Sequence, residues 1–410
     1  MYIDMYKLSP VQFSLFGIKK RGKHMSKLFK KTVAVLIAAA LIFCGVPISS
    51  ARVYALDDKD ITAAAAVLIE PSTGSILYEK NSHDIRPCAS ITKLMTLILV
   101  FEAIDAGKIS YEDTVVTSAH AAGMGGSDIW LKEGERMSVD DMIKATVVAS
   151  ANDAAVALAE HICGSEDAFV VEMNKKAEQL GMNDTVFKNC NGLDEEGHVT
   201  SAYDVALMSC EAVKHEKIFE YAAIWLDYLR DGATQIVNTN KLLKTYKGIT
   251  GLKTGTTSGA GACIAASAER DGLALIAVVL GSKTGKERFT DAQKILDYGF
   301  AEYTMYTPEI PDDAVRTLDV SGGMDKTIRT QTAVDGRLLI KKGSESSITT
   351  QAIYDESIAA PVEIGDRVGV LQYLLDDEII AEYPITSADR IEKINFWAVL
   401  KIIFENFIQI

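Results

Sequence analysis

The sequence Ser90-Ile-Thr-Lys-Leu-Met-Thr-Leu-Ile-Leu-Val-Phe101 begins with a polar S-x-x-K tetrapeptide and continues as an apolar run. Its apolar residues recur at three- and four-residue steps, which predicts a helix over 90–106. If Ser90 starts that helix, Lys93 lies one turn on and on the same face. The lysine amine could then take the serine proton, provided that burial and nearby positive charge lower its pKa. Alone, the motif is weak, because an N-cap serine followed by a surface lysine gives the same pattern.

Two more short motifs follow in the chain. Ser150-Ala-Asn152 is an S-x-N tripeptide after a helical stretch, and Lys253-Thr-Gly-Thr256 stands just before a strand-like run. Lys253 would supply a fixed positive charge, and Gly255 would let a substrate backbone approach the strand edge closely. Neither motif is informative by itself, because a loop or cap is the default interpretation of the first and K-T-G is a common tripeptide.

The segments around these motifs predict an α+β fold. Their hydrophobic patterns indicate, in chain order, strands at 63–69 and 75–78, helices at 90–106, 138–160 and 165–181, strands at 262–267 and 273–280, and a helix at 291–300. Strands come first, helices lie in the middle, and strands with a helix come last. This order favours an α+β layout over alternating β-α-β units.

The rest of the chain predicts two further parts. Residues 314–387 show short β-like runs separated by Gly and Asp turns, which predicts a small all-β domain behind a linker at 303–312. Residues 394–410 have an aromatic and aliphatic helical face opposite a polar one, which is typical of a helix lying on a membrane surface. Seventeen residues with two charges make a membrane-spanning helix improbable. Docking on the protein's own core or on a partner chain is the alternative.

Residues 1–55 have the features of a secretion signal. Three lysines between positions 27 and 31 form a positive segment, and an apolar stretch covers 32–48. That stretch is short for a transmembrane anchor and is broken by a glycine and a proline. We therefore expect cleavage after Ala55 and export across the cytoplasmic membrane.

The charge of the remaining chain argues against nucleic acid as a partner. Residues 1–55 hold nine of the 42 basic and one of the 56 acidic residues, so the rest carries a net charge of −22. Such a body repels a polyanion. Five cysteines remain without any C-x-x-C pair, so a zinc site is not supported, and we expect no metal or other cofactor.

The three motifs, in this order and at these separations, resemble those of penicillin-binding proteins and serine β-lactamases. Five segments resemble the low-molecular-mass D-alanyl-D-alanine carboxypeptidases in particular: Pro87-Cys-Ala-Ser-Ile-Thr-Lys-Leu-Met-Thr96, Asn191-Gly-Leu-Asp194, Thr200-Ser-Ala-Tyr-Asp204, Asn238-Thr-Asn-Lys-Leu-Leu243 and Gly251-Leu-Lys-Thr-Gly-Thr256. The resemblance runs over about 63–300. The secretion signal, the β-rich second domain and the terminal helix also look like that family's layout.

The resemblance implies the transpeptidase fold of these proteins, an antiparallel sheet flanked by helices with a helical subdomain. The domains expected are an upstream extension with the signal (1–55), the catalytic domain (56–305), a small all-β domain (306–388) and a terminal amphipathic anchor helix (389–410).

The resemblance also implies catalytic roles. Ser90 would be the nucleophile that attacks the carbonyl between two terminal D-alanines, with Lys93 as its general base. Ser150 and Lys253 would help relay a proton to the leaving amine. Asn152 would hydrogen-bond the peptide backbone of the substrate.

Substrate binding would continue at the end of the K-T-G strand. The backbone N–H groups of Ser90 and Thr256 would form the oxyanion hole. Thr254 and Thr256, on either side of Gly255, would approach the terminal carboxylate, with the positive charge of Arg288 behind them. Several members of the family have His where this chain has Thr256.

A protein of this kind would remove the terminal D-alanine from peptidoglycan stem peptides and so limit cross-linking. It would be a peripheral protein on the outer face of the cell membrane, and β-lactam antibiotics would inhibit it by bonding covalently to Ser90. A D,D-endopeptidase or a weak β-lactamase would use the same site, although the E-x-x-L-N segment of class A β-lactamases is absent. A non-catalytic wall-binding protein is not favoured, because the nucleophile and the lysine are both present.

Overall fold

The computed structural model describes residues 56–408, and the statements below concern that part of the chain. The predicted signal lies outside it, and so does the predicted cleavage site. The helices are α1 (Lys93–Asp105), α2 (Ala119–Ala122), α3 (Val139–Lys144), α4 (Asn152–Cys163), α5 (Glu166–Gln179), α6 (Ala202–Ala212), α7 (Lys217–Ala222), α8 (Leu242–Thr245), α9 (Gly285–Glu302) and α10 (Phe396–Ile408). The strands are β1 (Ala65–Glu70), β2 (Ser75–Lys80), β3 (Thr114–Val116), β4 (Arg136–Ser138), β5 (Leu226–Leu229), β6 (Thr234–Val237), β7 (Ile249–Thr257), β8 (Gly261–Arg270), β9 (Leu273–Ser282), β10 (Tyr303–Tyr306), β11 (Thr317–Ser321), β12 (Thr327–Thr332), β13 (Leu338–Lys341), β14 (Ile348–Tyr354), β15 (Ile358–Ala359), β16 (Arg367–Leu375) and β17 (Glu378–Ser387).

An antiparallel five-stranded sheet in the order β2-β1-β9-β8-β7 forms the centre of the first domain. Successive side chains of a strand point to opposite faces, and both faces of β1 are covered. Val67 and Ile69 join a core shared with α1 and the helical subdomain, whereas Ala66 and Leu68 join a core under α9. This double burial explains why β1 is apolar at nearly every position, and the element order is the predicted α+β layout.

The helix that carries the S-x-x-K motif is buried on nearly every side, including Lys93 in its first turn. Polar groups on α1 therefore meet other protein groups instead of water. Ser90 itself lies in a 3-10 turn, Ala89–Thr92, so the α-helix begins at Lys93 and not at Ser90 as predicted. Ala89 has a left-handed backbone (φ 51°), and this tight entry separates Ser90 from the regular helix.

The prediction of one continuous helix over 138–160 is wrong, because the helix breaks at the S-x-N motif. Helix α3 passes into a π-helical turn, Ala145–Ala149, and Ser150 then adopts a left-handed backbone with φ 60° and ψ 31°. Helix α4 starts afresh at Asn152, whose N–H donates to Ser127 O at 2.6 Å. A π turn and a left-handed serine cost stability, and such features concentrate at functional sites.

The second domain is a six-stranded sheet in the order β14-β16-β17-β12-β11-β15 with its own apolar core. Two predicted boundaries differ from the structure. The predicted linker begins as strand β10, which pairs with β13 of the second domain. The chain just before α10 also belongs to this domain, because Ile391 pairs with Val362 and the N–H of Ile394 donates to Gly322 O. The terminal helix therefore begins at Phe396 and not at residue 389.

Helix α10 has 13 residues and presents large apolar side chains to solvent, among them Phe396, Trp397, Ile403 and Phe404. Among residues 56–408, no helix combines the length and the apolar character that a membrane crossing requires.

Candidate active site

The structure brings the first two motifs into direct contact. Lys93 Nζ lies 2.9 Å from Ser90 Oγ, 2.5 Å from Asn152 Oδ1 and 2.6 Å from the backbone O of Asn191. The tight turn before α1 supplies Ser90, the first turn of α1 supplies Lys93, and the restart of the chain at α4 supplies Asn152. Three segments far apart in sequence, at residues 90–93, 152 and 191, thus surround one amine.

Lys93 is fully buried and forms no ion pair with any described residue. Burial lowers the pKa of its amine to about 7, because a charged ammonium loses its hydration there. The nearby carboxyl groups of Asp128 and Asp153 oppose this shift but do not cancel it. Near neutral pH, a large fraction of the amine is therefore unprotonated and able to act as a base.

The partners of Lys93 also set the direction of its lone pair. A neutral amine has two N–H groups, and Asn152 Oδ1 and Asn191 O are acceptors that take one each. The lone pair then remains for the hydroxyl of Ser90, which donates its proton. Asn152 Nδ2 donates to Gly125 O at 2.6 Å, which holds the amide with its oxygen toward Lys93.

The K-T-G strand β7 adds a second buried lysine. Lys253 is almost completely buried, and burial lowers its pKa well below the usual value. The positive charge of Arg288, and that of Lys93 whenever its amine is protonated, lower the pKa of Lys253 further. Ser150 is buried as well, two residues before Asn152. A lysine with a pKa lowered in this way gives up its proton more readily than a surface lysine, so Lys253 is not the fixed positive charge that the sequence predicted.

Gly255 lies against the turn that carries the nucleophile. A Cβ at this position would be 2.6 Å from Cys88 O and 2.9 Å from Ser90 N, so only glycine fits. The sequence predicted close approach by a substrate backbone, whereas the close neighbour in the structure is the protein's own backbone. This contact places the N–H of Ser90 beside the end of β7, as an oxyanion hole formed with Thr256 requires.

The two threonines of the strand have different environments. Thr254 is buried and its hydroxyl is hydrogen-bonded to that of Thr239 at 2.6 Å. Thr256 is exposed, and its Oγ1 accepts a hydrogen bond of 2.8 Å from Arg288 Nη1. The same Nη1 donates to Gly255 O at 2.8 Å. Arg288 thus supplies a positive charge behind Thr256, and Thr256 is the better placed of the two threonines to meet a carboxylate.

Sequence reasoning gave no role to the segment that begins at Asn191, although the family resemblance includes it. Gly192 has a φ of 83°, and a Cβ there would be 2.0 Å from Ala89 O, so this glycine permits the packing that brings Asn191 O to Lys93. Asp194 accepts hydrogen bonds from Thr257 Oγ1 and from the N–H of Gly259, which ties the segment to the end of β7. The Asn-Gly pair at 191–192 was the feature of the sequence that could have pointed to this segment.

His198 and Cys88 lie close to the turn that carries Ser90, and both contact Thr92. His198 Nδ1 accepts from the N–H of Lys188, so Nε2 carries the hydrogen and donates to Thr92 Oγ1. Burial lowers the pKa of His198 to about 4, which keeps the ring neutral, and raises the pKa of the Cys88 thiol to about 12. Within 56–408, no group of three or more His, Cys, Asp or Glu side chains could hold a metal ion.

Two family profiles together match most of the chain. One, described as D-alanyl-D-alanine carboxypeptidase, matches residues 52–284, and one described as penicillin-binding protein 5, C-terminal domain, matches residues 303–393. D-alanyl-D-alanine carboxypeptidase DacF of Bacillus subtilis is 40% identical over 378 residues, which cover 91% of this chain and 97% of that protein. DacC of Escherichia coli, of the same description, is 32% identical over 367 residues, with coverages of 88% and 92%.

Solved structures share the fold. Penicillin-binding protein 5 of Haemophilus influenzae matches with a TM-score of 0.71 and 30% identity over 83% of this chain and 100% of that one. Penicillin-binding protein D2 of Listeria monocytogenes, in an ampicillin-bound form, matches with a TM-score of 0.54 and 33% identity, covering 58% and 98% of the two chains. The predicted fold class is confirmed.

The neutral amine of Lys93 predicts a specific pH dependence. Protonation abolishes the base, so acylation of the protein by a labelled penicillin should slow about tenfold per pH unit as the pH falls below about 7, and should level off above it. Lys93→Arg should lose acylation at every pH, because a guanidinium stays protonated. The measurement is the second-order acylation rate constant between about pH 5 and about pH 9. A flat profile, or a rate constant that still rises tenfold per unit up to about pH 9 as a base with the ordinary lysine pKa of 10.5 would give, would contradict this role.

Proposed function

This chain belongs to the D-alanyl-D-alanine carboxypeptidase family of serine peptidases, as its motifs predict, and we propose that it removes the terminal D-alanine from peptidoglycan pentapeptide stems. The observation that carries the proposal is the 2.9 Å contact between Ser90 Oγ and the buried amine of Lys93. A neutral amine at this distance can accept the serine proton directly, without a histidine. Loss of the terminal D-alanine would limit cross-linking of the wall.

The reaction proceeds in two steps. Ser90 Oγ attacks the carbonyl between the two D-alanines while Lys93 takes its proton, and the N–H groups of Ser90 and Thr256 stabilise the oxyanion. The leaving amine of D-alanine receives a proton by way of Ser150 and Lys253. Water then attacks the acyl-enzyme and restores the serine, which completes covalent catalysis.

Substrate binding in this proposal uses the polarity of the site. Arg288, with Thr256 in front of it, suits a carboxylate directly after the bond to be cleaved, because a guanidinium offers a positive charge and several donors. Asn152 has its Oδ1 toward Lys93 and its Nδ2 toward Gly125 O, and it can also reach the peptide of a bound substrate. The relative solved in an ampicillin-bound form supports β-lactam binding by this chain, and we expect the covalent bond to form at Ser90.

The terminal helix supports a location on the outer face of the cell membrane. Exposure of the aromatic and aliphatic side chains of α10 to water is unfavourable, and insertion into the interfacial region of a bilayer would remove them from water. Helix α10 follows directly on the β domain, so this domain would hold the catalytic domain away from the membrane surface. The predicted signal provides the export that this location requires.

The carboxypeptidase proposal predicts release of D-alanine from diacyl-L-lysyl-D-alanyl-D-alanine by residues 56–410. Ser90→Ala should lower this rate at least about a thousandfold, because the nucleophile is lost. Ser321→Ala, a serine of the second domain, serves as the matched control and should keep full activity. If penicillin labels Ser90 but the protein releases no D-alanine from the tripeptide and only splits cross-linked dimers into monomers, the protein is an endopeptidase and the proposal is wrong.

The membrane proposal predicts that the chain ended after Asn395 no longer sediments with anionic phospholipid vesicles, whereas residues 56–410 do. The pair Trp397→Glu and Phe404→Glu should weaken sedimentation similarly, because each places a charge where apolar contact is needed. Ile379→Glu, at another exposed apolar position, in the β domain, is the control for charge alone. Equal sedimentation of all these forms would rule out α10 as the anchor.

A further inference from the structure

Trp130 is an exposed aromatic residue held in an unfavourable backbone conformation. Its side chain is 79% exposed, and its φ of 55° lies in the left-handed region that bulky residues rarely adopt. Both neighbours in sequence, Ile129 and Leu131, are buried. The chain therefore turns the one large aromatic side chain of this loop toward solvent. Within the described residues, no hydrogen bond or ring contact of the indole compensates for the strained backbone.

Buried polar groups enforce this conformation. The carboxylate of Asp153 accepts hydrogen bonds from the N–H groups of Ile129 and Leu131, on both sides of Trp130. Arg230 Nη1 donates to Ile129 O at 3.0 Å, and its Nε is paired with Glu135. These hydrogen bonds fix the backbone that carries the indole, as a preorganised contact with a ligand requires.

The segments that hold Trp130 in place also lead to the residues of the candidate active site. Asp153 follows Asn152, which contacts Lys93, and the loop that leads to Trp130 accepts hydrogen bonds from Asn152 through Gly125 O and Ser127 O. Arg230 belongs to the turn between β5 and β6, and the chain after β6 continues to Thr239. The hydroxyl of Thr239 is bonded to that of Thr254 on β7. The backbone around Trp130 is therefore linked through Asp153 to the segment of Asn152, and through Arg230 to the segment that leads to β7.

We propose that the face of Trp130 binds the side chain of the residue that precedes the two D-alanines of the substrate, an aliphatic chain ending in an amine. This inference rests on the proposed function. The terminal carboxylate would lie at Thr256 and Arg288, so the upstream residue would extend away from β7, toward the segment of Asn152 and the loop of Trp130. An indole offers an apolar surface for methylene groups and is the best aromatic partner for a cation.

The test compares substrates that differ at this side chain: acetyl-L-lysyl-D-alanyl-D-alanine with a free side-chain amine, its Nε-acetyl form, and acetyl-L-alanyl-D-alanyl-D-alanine. Trp130→Ala in the otherwise intact chain should lower kcat/KM for the free-amine substrate about five- to tenfold and for the alanyl substrate less than about twofold, with the Nε-acetyl form between them. Trp130→Phe should retain most of the preference. Val171→Ala, an exposed apolar position on α5, should change none of the three values.

Two further measurements separate this inference from the proposed function. Acylation by penicillin should proceed in Trp130→Ala, which shows an intact nucleophile whatever the peptide results. In Ser90→Ala with Trp225→Phe and Trp397→Phe, Trp130 is the only tryptophan, and its fluorescence should shift when the free-amine peptide binds. Equal losses with all three peptides, no loss with any, or an unchanged fluorescence at saturating peptide would overturn the assignment of Trp130, even if D-alanine release depends on Ser90 as proposed.

Discussion

An amine held in the protein interior without a counter-charge is the feature on which the rest of the site depends. The difference between the ordinary lysine pKa of 10.5 and about 7 for Lys93 corresponds to roughly 5 kcal/mol of preference for the neutral form. A carboxylate in contact with Lys93 would cancel this preference and leave a protonated, inactive base. The partners in the structure are neutral oxygens instead, from Asn152 and Asn191, and these orient the amine without charging it.

Close backbone packing creates that environment. Gly192 and Gly255 both press against the turn of residues 88–90, where any side chain would collide with backbone atoms. The left-handed backbone of Ser150 ends one helical segment so that the next can begin with Asn152 toward Lys93. Each of these features weakens regular structure locally. The two large apolar cores on either side of the central sheet supply the stability that permits them.

The sequence was informative where local pattern and chemistry coincide. Hydrophobic periodicity located β1, β2, β8 and β9 and the helices α1, α5 and α9, and the motifs identified Ser90, Lys93 and Asn152, which the structure brings together. Periodicity missed β7, because the K-T-G motif lies on this strand and not before a strand as predicted. The sequence was less informative where tertiary contacts decide the backbone. The hydrophobic pattern is helical throughout 138–160, yet the structure breaks the helix at Ser150. Thr254 is buried and hydrogen-bonded to Thr239, a residue of another segment, whereas Thr256 is exposed. The carbonyl of Asn191 could not be inferred, because any residue has one.

The direct test is to follow the amine of Lys93 itself by NMR, in protein labelled with ¹³C and ¹⁵N at lysine and with the signal assigned by its loss in Lys93→Arg. We expect a titration midpoint near 7 in the free enzyme, well separated from the surface lysines. A Lys93 that stays protonated up to the pH at which the surface lysines titrate would contradict the central claim, because the serine would then have no base.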